Sequence, residues 1–129
     1  MPDSELITFK DMCARFDVTP RTLRYYEYIE LLNPKKVGRS RFYGPREVAR
    51  MTLILRGRKF GFSLEDIRQW LDIYQLKGSK EQFQHFLKLA DDQLDVIDRQ
   101  MADLQSARAD LVALRDETRE LLSQATAAV

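Results

Sequence analysis

One cysteine, one histidine and no long apolar run set the first limits on this 129-residue chain. With Cys13 alone, no internal disulfide forms and no thiolate cluster holds a soft metal. His85 has no cysteine or second histidine near it in the sequence, which leaves no nucleophile–base pair and no metal-ligand spacing. An enzyme is therefore not expected, and neither is a cofactor or a metal. No stretch approaches the ~18 apolar residues of a membrane span. No apolar run follows a basic start, as a secretory signal requires. The chain reads as cytoplasmic, with no membrane partner. The five glycines and four prolines all fall before residue 79, so no helix breaker stands in the last 51 residues.

Net charge is only +1, but the charges are unevenly placed. Residues 1–62 carry 13 Lys+Arg and 7 Asp+Glu, whereas residues 63–129 carry 8 and 13. A basic front half and an acidic rear half imply that only the front meets a polyanion.

The front half centres on residues 19–27, Thr-Pro-Arg-Thr-Leu-Arg-Tyr-Tyr-Glu. Thr19 has the chemistry of an N-cap, and Pro20 at the next position has no N–H to leave orphaned. Steps of ~100° per residue put Arg21, Arg24, Tyr25 and Tyr28 on one face of the predicted helix. Leu23 and Tyr26 fall on the other. Arginine forks match guanine or phosphate, and a tyrosine hydroxyl reaches a phosphate, so this face suits a DNA groove. A solvated surface helix is the plainer reading.

Before it, Thr8 to Asp11 has the spacing of a capping box after a frayed start over residues 1–6. Phe9, Met12, Cys13 and Phe16 then recur at helical spacing, with Cys13 turned to the core. The two helices and the short turn between them form a helix-turn-helix. Lys35 to Gly44 rises to a turn at Gly38 and returns through Arg41, Phe42 and Tyr43. That pattern suits a small β-hairpin, apolar residues inward and cations outward. Beside a helix-turn-helix it is a wing, its lysines and arginines lying along phosphates.

Pro45 opens a third helix with an inner stripe of Val48, Met51, Thr52 and Leu55. Arg58 and Lys59 close it, either to complement the helix dipole or as a second wing on the DNA backbone. Ser63 to Asp66 is another capping box. Leu64, Ile67, Leu71 and Tyr74 follow at helical spacing, with Trp70 beside them. Trp70, Tyr74, Phe83 and Phe86 read equally as core and as the lining of an effector pocket, the effector being unknown.

Ser79 to Gln82 is a third capping box. Phe83, Leu87, Ala90, Leu94, Ile97, Met101 and Leu104 then alternate steps of four and three, and after a shift the stripe resumes at Ala107, Leu111, Leu114, Thr118 and Leu121. A helix of about 40 residues is roughly 60 Å long. A small head cannot cover that stripe, so it calls for the same helix of a second subunit. The dimer interface is expected at Leu87, Leu94, Ile97, Met101, Leu104, Leu111 and Leu114. The domains read as a head over 1–76, a coiled-coil helix over 79–122 and a frayed tail over 123–129.

The run from Val18 to Glu27, the Arg41-Phe42-Tyr43 segment and the segment Phe60-Gly61-Phe62-Ser63-Leu64-Glu65-Asp66-Ile67 resemble the MerR family of bacterial transcription regulators, in order and spacing from about residue 7 to 75. The resemblance implies a mainly α fold with a small β-hairpin wing: a winged helix-turn-helix head and a long dimerisation helix in an antiparallel coiled coil. It implies a homodimer that binds a pseudo-palindrome in double-stranded promoter DNA and distorts it, with RNA polymerase as a partner there. By position it makes Arg21, Arg24, Tyr26, Arg41, Tyr43 and Arg58 the DNA contacts. The basic and hydroxyl residues beside them, Thr19, Thr22, Tyr25, Lys36, Arg39 and Lys59, complete the set. Tyr26 is in conflict, because the helical wheel puts it on the packing side.

Metal-sensing members of that family carry cysteines at the start of the long helix and after it, where this chain has Ser79 and an alanine-rich tail. An architectural DNA-bending protein of excisionase type is the alternative reading, and a coiled-coil interaction protein is a third.

Overall fold

The computed structural model describes residues 5–75 and 78–128; the side chains of Tyr74 and Gln75 lie outside the described set. Three short strands and five helices follow in the order β1 (Ile7–Thr8), α1 (Phe9–Phe16), α2 (Pro20–Tyr28), β2 (Lys35–Val37), β3 (Ser40–Tyr43), α3 (Pro45–Phe60), α4 (Leu64–Gln75) and α5 (Lys80–Ala127). The chain divides into two compact units at the Phe86/Leu87 junction.

In the first unit, the expected hairpin is part of a three-stranded antiparallel sheet of order β1-β3-β2. Ile7 pairs with Tyr43 and Thr8 with Phe42, while Val37 pairs with Ser40 around the two-residue turn Gly38-Arg39. Gly38 takes φ 60, a conformation glycine enters without steric cost. Strand β1 is too short for a sequence period to reveal it. It begins directly after the stretch expected to fray, of which residues 1–4 lie outside the described residues, and it includes Thr8, the cap of α1.

The caps form as the sequence predicts. Asp11 N–H donates to Thr8 Oγ1 at 3.1 Å, and Thr22 N–H donates to Thr19 Oγ1 at 3.1 Å. At α4 the box is reciprocal: Asp66 N–H to Ser63 Oγ at 3.1 Å and Ser63 N–H to Asp66 Oδ2 at 3.4 Å. Ser79 and Gln82 exchange the same pair of bonds at the start of α5. Helix α1 stops at Asp17, which takes the left-handed conformation at φ 51 and lets Val18 N–H reach Cys13 O.

The core of this unit holds Met12, Leu23, Tyr26, Leu31, Leu32, Tyr43, Met51, Ile54, Phe62, Ile67, Trp70 and Leu71. Helix α3 is rotated from its expected setting. Its buried positions are Glu47, Arg50, Met51, Ile54 and Gly57, with Thr52 exposed and Val48 and Leu55 half-buried. The two inward polar residues explain the rotation. Asn33 N–H donates to Glu47 Oε2 at 2.9 Å, and Arg50 Nε donates to Leu31 O at 2.8 Å. From α4, Arg68 donates to Ile29 O. Three side chains thus hold the segment joining α2 to the sheet, and Arg50 satisfies the buried carbonyl of Leu31 among them.

Helices α3 and α4 approach at Gly57, where an added Cβ would lie 2.6 Å from Ile67 Cγ1. The turn between them needs Gly61 at φ 88. The expected head ended at residue 76, but the first unit continues through the opening turns of α5 to Phe86.

The second unit is the remainder of α5. The helix runs 48 residues, about 70 Å at ~1.5 Å per residue. It continues to Ala127, past the tail expected to fray, because alanine has the highest helix propensity and no breaker intervenes. No α5 residue is buried. Leu87, Leu94, Met101, Leu104, Leu111, Leu114 and Leu121 all stand more than half exposed.

Candidate nucleic-acid interface

The order of α1, α2 and the sheet sets the polar face of α2 outward. Leu23 is fully buried and Tyr26 is 6% exposed, whereas Arg21, Arg24, Tyr25 and Tyr28 are exposed, Tyr28 at 83%. The helical wheel therefore holds for all six residues, and Tyr26 is a core residue first. Arg21, Thr22, Arg24, Tyr25, Tyr26 and Tyr28 line an open cleft of about 600 Å³, which Arg58 and Leu64 close from the far side. Tyr26 reaches this cleft only by the edge that its packing leaves open.

Thr19 and Thr22 act as a pair. Thr19 Oγ1 accepts from Thr22 N–H and donates to Thr22 Oγ1 at 2.9 Å, which leaves the Thr22 hydroxyl proton for an outside acceptor. Arg58 and Lys59 end α3 in exposed positions. Arg58 joins the α2 cleft; Lys59 is not among the residues that line it. Between α3 and α4 stands a short turn rather than a stranded second wing.

The wing's cations divide. Lys35, Lys36 and Arg39 are exposed. Arg39 and Arg41 line a hollow with Thr8, Phe9, Lys10 and Phe42, whereas Lys36 opens into a separate cleft with Arg46 and Arg50. Arg41 is half-buried, its Nε 3.1 Å from Glu27 Oε2 but not aligned for a hydrogen bond. Tyr43 requires a correction. It was expected among the DNA contacts, yet it is fully buried and donates its hydroxyl to Glu27 Oε1 at 2.5 Å. Burial, and then the Glu27 carboxylate, hold its pKa well above the ordinary phenol range. Tyr43 fastens β3 to α2 and offers nothing to a phosphate.

Phe9 is the residue that the sequence reading passed over, counted there only in the α1 stripe. The Arg24 guanidinium lies 5.3 Å from its ring centroid and that of Arg41 lies 5.8 Å from it. Both are within cation–π range. Phe9 is half-buried, so one aromatic side chain touches the recognition helix and the wing together.

The expected effector pocket is filled where it can be described. Trp70 and Phe86 stack at 6.1 Å with their planes 16° apart, and Phe62 meets both rings edge-on. Arg56 lies 5.8 Å from the Trp70 ring. Phe83 is 51% exposed and the Tyr74 side chain is outside the described residues. Trp70 and Phe86 are therefore packing residues of the first unit. Cys13 is half-buried, and burial raises its thiol pKa, which makes it a poor nucleophile. Among the described residues no His/Cys/Asp/Glu group could hold a metal ion, and no helix is long and apolar enough to cross a membrane.

Comparison with known proteins agrees with this geometry. Residues 7–73 match the family model for the MerR HTH family regulatory protein, and residues 48–114 match the model described as MerR, DNA binding. The transcriptional regulator ZntR of Escherichia coli K12 is 31% identical over 108 residues, covering 82% of this chain and 76% of its own. HmrR of Rhizobium leguminosarum bv. viciae is 33% identical over 98 residues, covering 75% and 74%. Among solved structures, a MerR-family transcriptional regulator from Bacillus cereus superposes with a TM-score of 0.62 at 26% identity, over 78% of this chain and 75% of that one. HiNmlR, a MerR-family regulator lacking the sensor domain and bound to promoter DNA, gives 0.60 at 22% identity, over 78% and 76%, a likeness of fold. These relatives are regulators of transcription, not enzymes. An arginine–tyrosine recognition helix, a wing built on β3 and two family models that together run from residue 7 to 114 lead to one conclusion: this chain belongs to the MerR family of transcriptional regulators.

Proposed function

We propose that the protein binds a pseudo-palindromic promoter site as a homodimer and distorts the DNA between its half-sites, so that RNA polymerase engages the promoter. The observation that carries this reading is the α2 face. Arg21, Arg24, Tyr25 and Tyr28 stand exposed around one cleft with Arg58 across from them, beside a wing whose Lys35, Lys36 and Arg39 face solvent. Such a helix enters a major groove with its arginines on base edges, while the wing cations follow the backbone.

The second half of the proposal rests on α5. Its apolar stripe is exposed along its length, and a stripe of that size is stable in water only when another helix covers it. The antiparallel helix of a second copy is the simplest cover. It fixes two heads at a set spacing, which a palindromic site then matches. Bending between the half-sites exchanges deformation energy for contacts at both ends. The DNA-contact residues are Thr19, Arg21, Thr22, Arg24, Tyr25, Lys36, Arg39, Arg41, Arg58 and Lys59, with Tyr26 contributing at most an edge.

The test is selection of duplexes from a random-sequence library by the purified full chain, followed by footprinting on an enriched duplex. Enrichment of an inverted repeat, with enhanced cleavage at its centre, is the expected result. No enrichment, with weak protection lost at raised salt, overturns the reading.

A further inference from the structure

Resting on the DNA contacts proposed above, we infer that Phe9 is a positioning residue for DNA binding, a ring that holds Arg24 of the recognition helix and Arg41 of the wing as one prearranged pair. Three observations meet at this ring. Both guanidinium carbons lie within 6 Å of its centroid, which puts them no more than about 11 Å from each other. The Arg41 guanidinium is turned to Glu27, whose other carboxylate oxygen is taken by the buried Tyr43 hydroxyl. Phe9 itself is fixed at the first position of α1, directly after the Thr8 cap and the β1 pairing with β3.

The chemistry gives this arrangement a use. Two long arginine side chains lose rotamer freedom when they bind. Stacking against the negative face of an aromatic ring meets part of that cost before DNA arrives. Arg24 reports on the groove and Arg41 on the backbone, so a common support also fixes the angle between helix and wing. Glu27 on α2 already ties β3 to the recognition helix through Arg41 and Tyr43, and Phe9 adds Arg24 to that link.

The experiment uses the full chain and a 30-bp duplex carrying the site enriched from the random library. Binding is measured for the wild type, Phe9→Leu, Phe9→Tyr, the double variant Arg24→Ala/Arg41→Ala, and that double variant with Phe9→Leu added, across a salt series. Phe9→Leu is expected to weaken binding about tenfold and to lower the slope of log Kd against log salt by about one, the loss of one phosphate contact. Phe9→Tyr, which keeps the ring, is expected to bind within about twofold of wild type. In the absence of both arginines, Phe9→Leu is expected to have no further effect, which a merely structural role would not give. Circular dichroism melts accompany each variant, and the comparison with Phe9→Tyr is made at a temperature where all are folded. Normal binding and slope for Phe9→Leu, with weak binding by the arginine variant, overturn the positioning role alone. Wild-type binding by Arg24→Ala/Arg41→Ala overturns the proposed contacts and the positioning role with them.

Discussion

The hydroxyl of Tyr43 donates to the Glu27 carboxylate at 2.5 Å, the length of a charge-assisted O–H···O⁻ bond, and this contact fastens the wing to the recognition helix. Its cost when removed is calculable. Tyr43→Phe leaves the ring in the core but takes the donor from a carboxylate that is itself mostly buried. Stability is expected to fall by about 1–3 kcal/mol, read from urea unfolding.

The same pair sets a pH dependence. The folded state holds Tyr43 neutral far above the ordinary tyrosine value, so between that value and the folded one the native chain binds more protons than the unfolded chain. Its contribution is full below about pH 10, the unfolded tyrosine value, and is lost as pH rises beyond it. Denaturant midpoints measured from pH 9 upward are expected to fall more steeply for the wild type than for Tyr43→Phe.

Glu30 lies at φ 64 at the end of α2, where Glu30 N–H reaches Glu27 O and the next two N–H groups reach Tyr26 O. A side chain in the left-handed region is strained, and this one is exposed. Glu30→Gly is expected to raise stability by about 0.5–1 kcal/mol, the strain relieved less the entropy that glycine adds to the unfolded chain. An unchanged or lower melting temperature would contradict it.

Gly57 permits the contact of α3 with α4. A Cβ there would stand 2.6 Å from Ile67 Cγ1, an inner atom of a fully buried side chain, so the helices must part. Gly57→Ala is expected to destabilise by about 1–3 kcal/mol despite its better helix propensity, as overpacking does. Thermal unfolding measures it.

Arg24 is exposed, and its guanidinium lies 5.3 Å from the centroid of the Phe9 ring. If it reads a base or a desolvated phosphate, Arg24→Ala weakens operator binding by about 1–3 kcal/mol. Unchanged affinity in a titration would remove it from the contact set.

Met101 and Leu104 stand 54% and 71% exposed on α5 and belong to no buried core, so replacing them removes little packing within one chain. Met101→Glu with Leu104→Glu is expected to shift the sedimentation mass from twice 15.2 kDa to the single-chain value. A variant that remains dimeric would move the interface elsewhere.

Much of this protein was readable from adjacent residues alone. The four cap sites at Thr8, Thr19, Ser63 and Ser79, the two faces of α2 and the apolar stripe of α5 follow from spacing and side-chain chemistry within a few residues, and helices impose such local rules. The sequence likewise determined that α5 runs unbroken, because it places no glycine or proline there. Tertiary structure decided the rest, where a residue's partner lies 14 to 39 positions away. Strand β1 exists only because β3 is beside it. Helix α3 turned so that Glu47 and Arg50 reached the backbone after α2, which no period of its own apolar residues encodes. Tyr43 left the DNA face for Glu27, Trp70 and Phe86 closed on each other, and Phe9 came to serve two arginines from different elements. A side chain's role is local when its partner is the next turn of its own helix. It is tertiary when burial leaves a polar atom or a ring face to be satisfied by whatever the fold brings across.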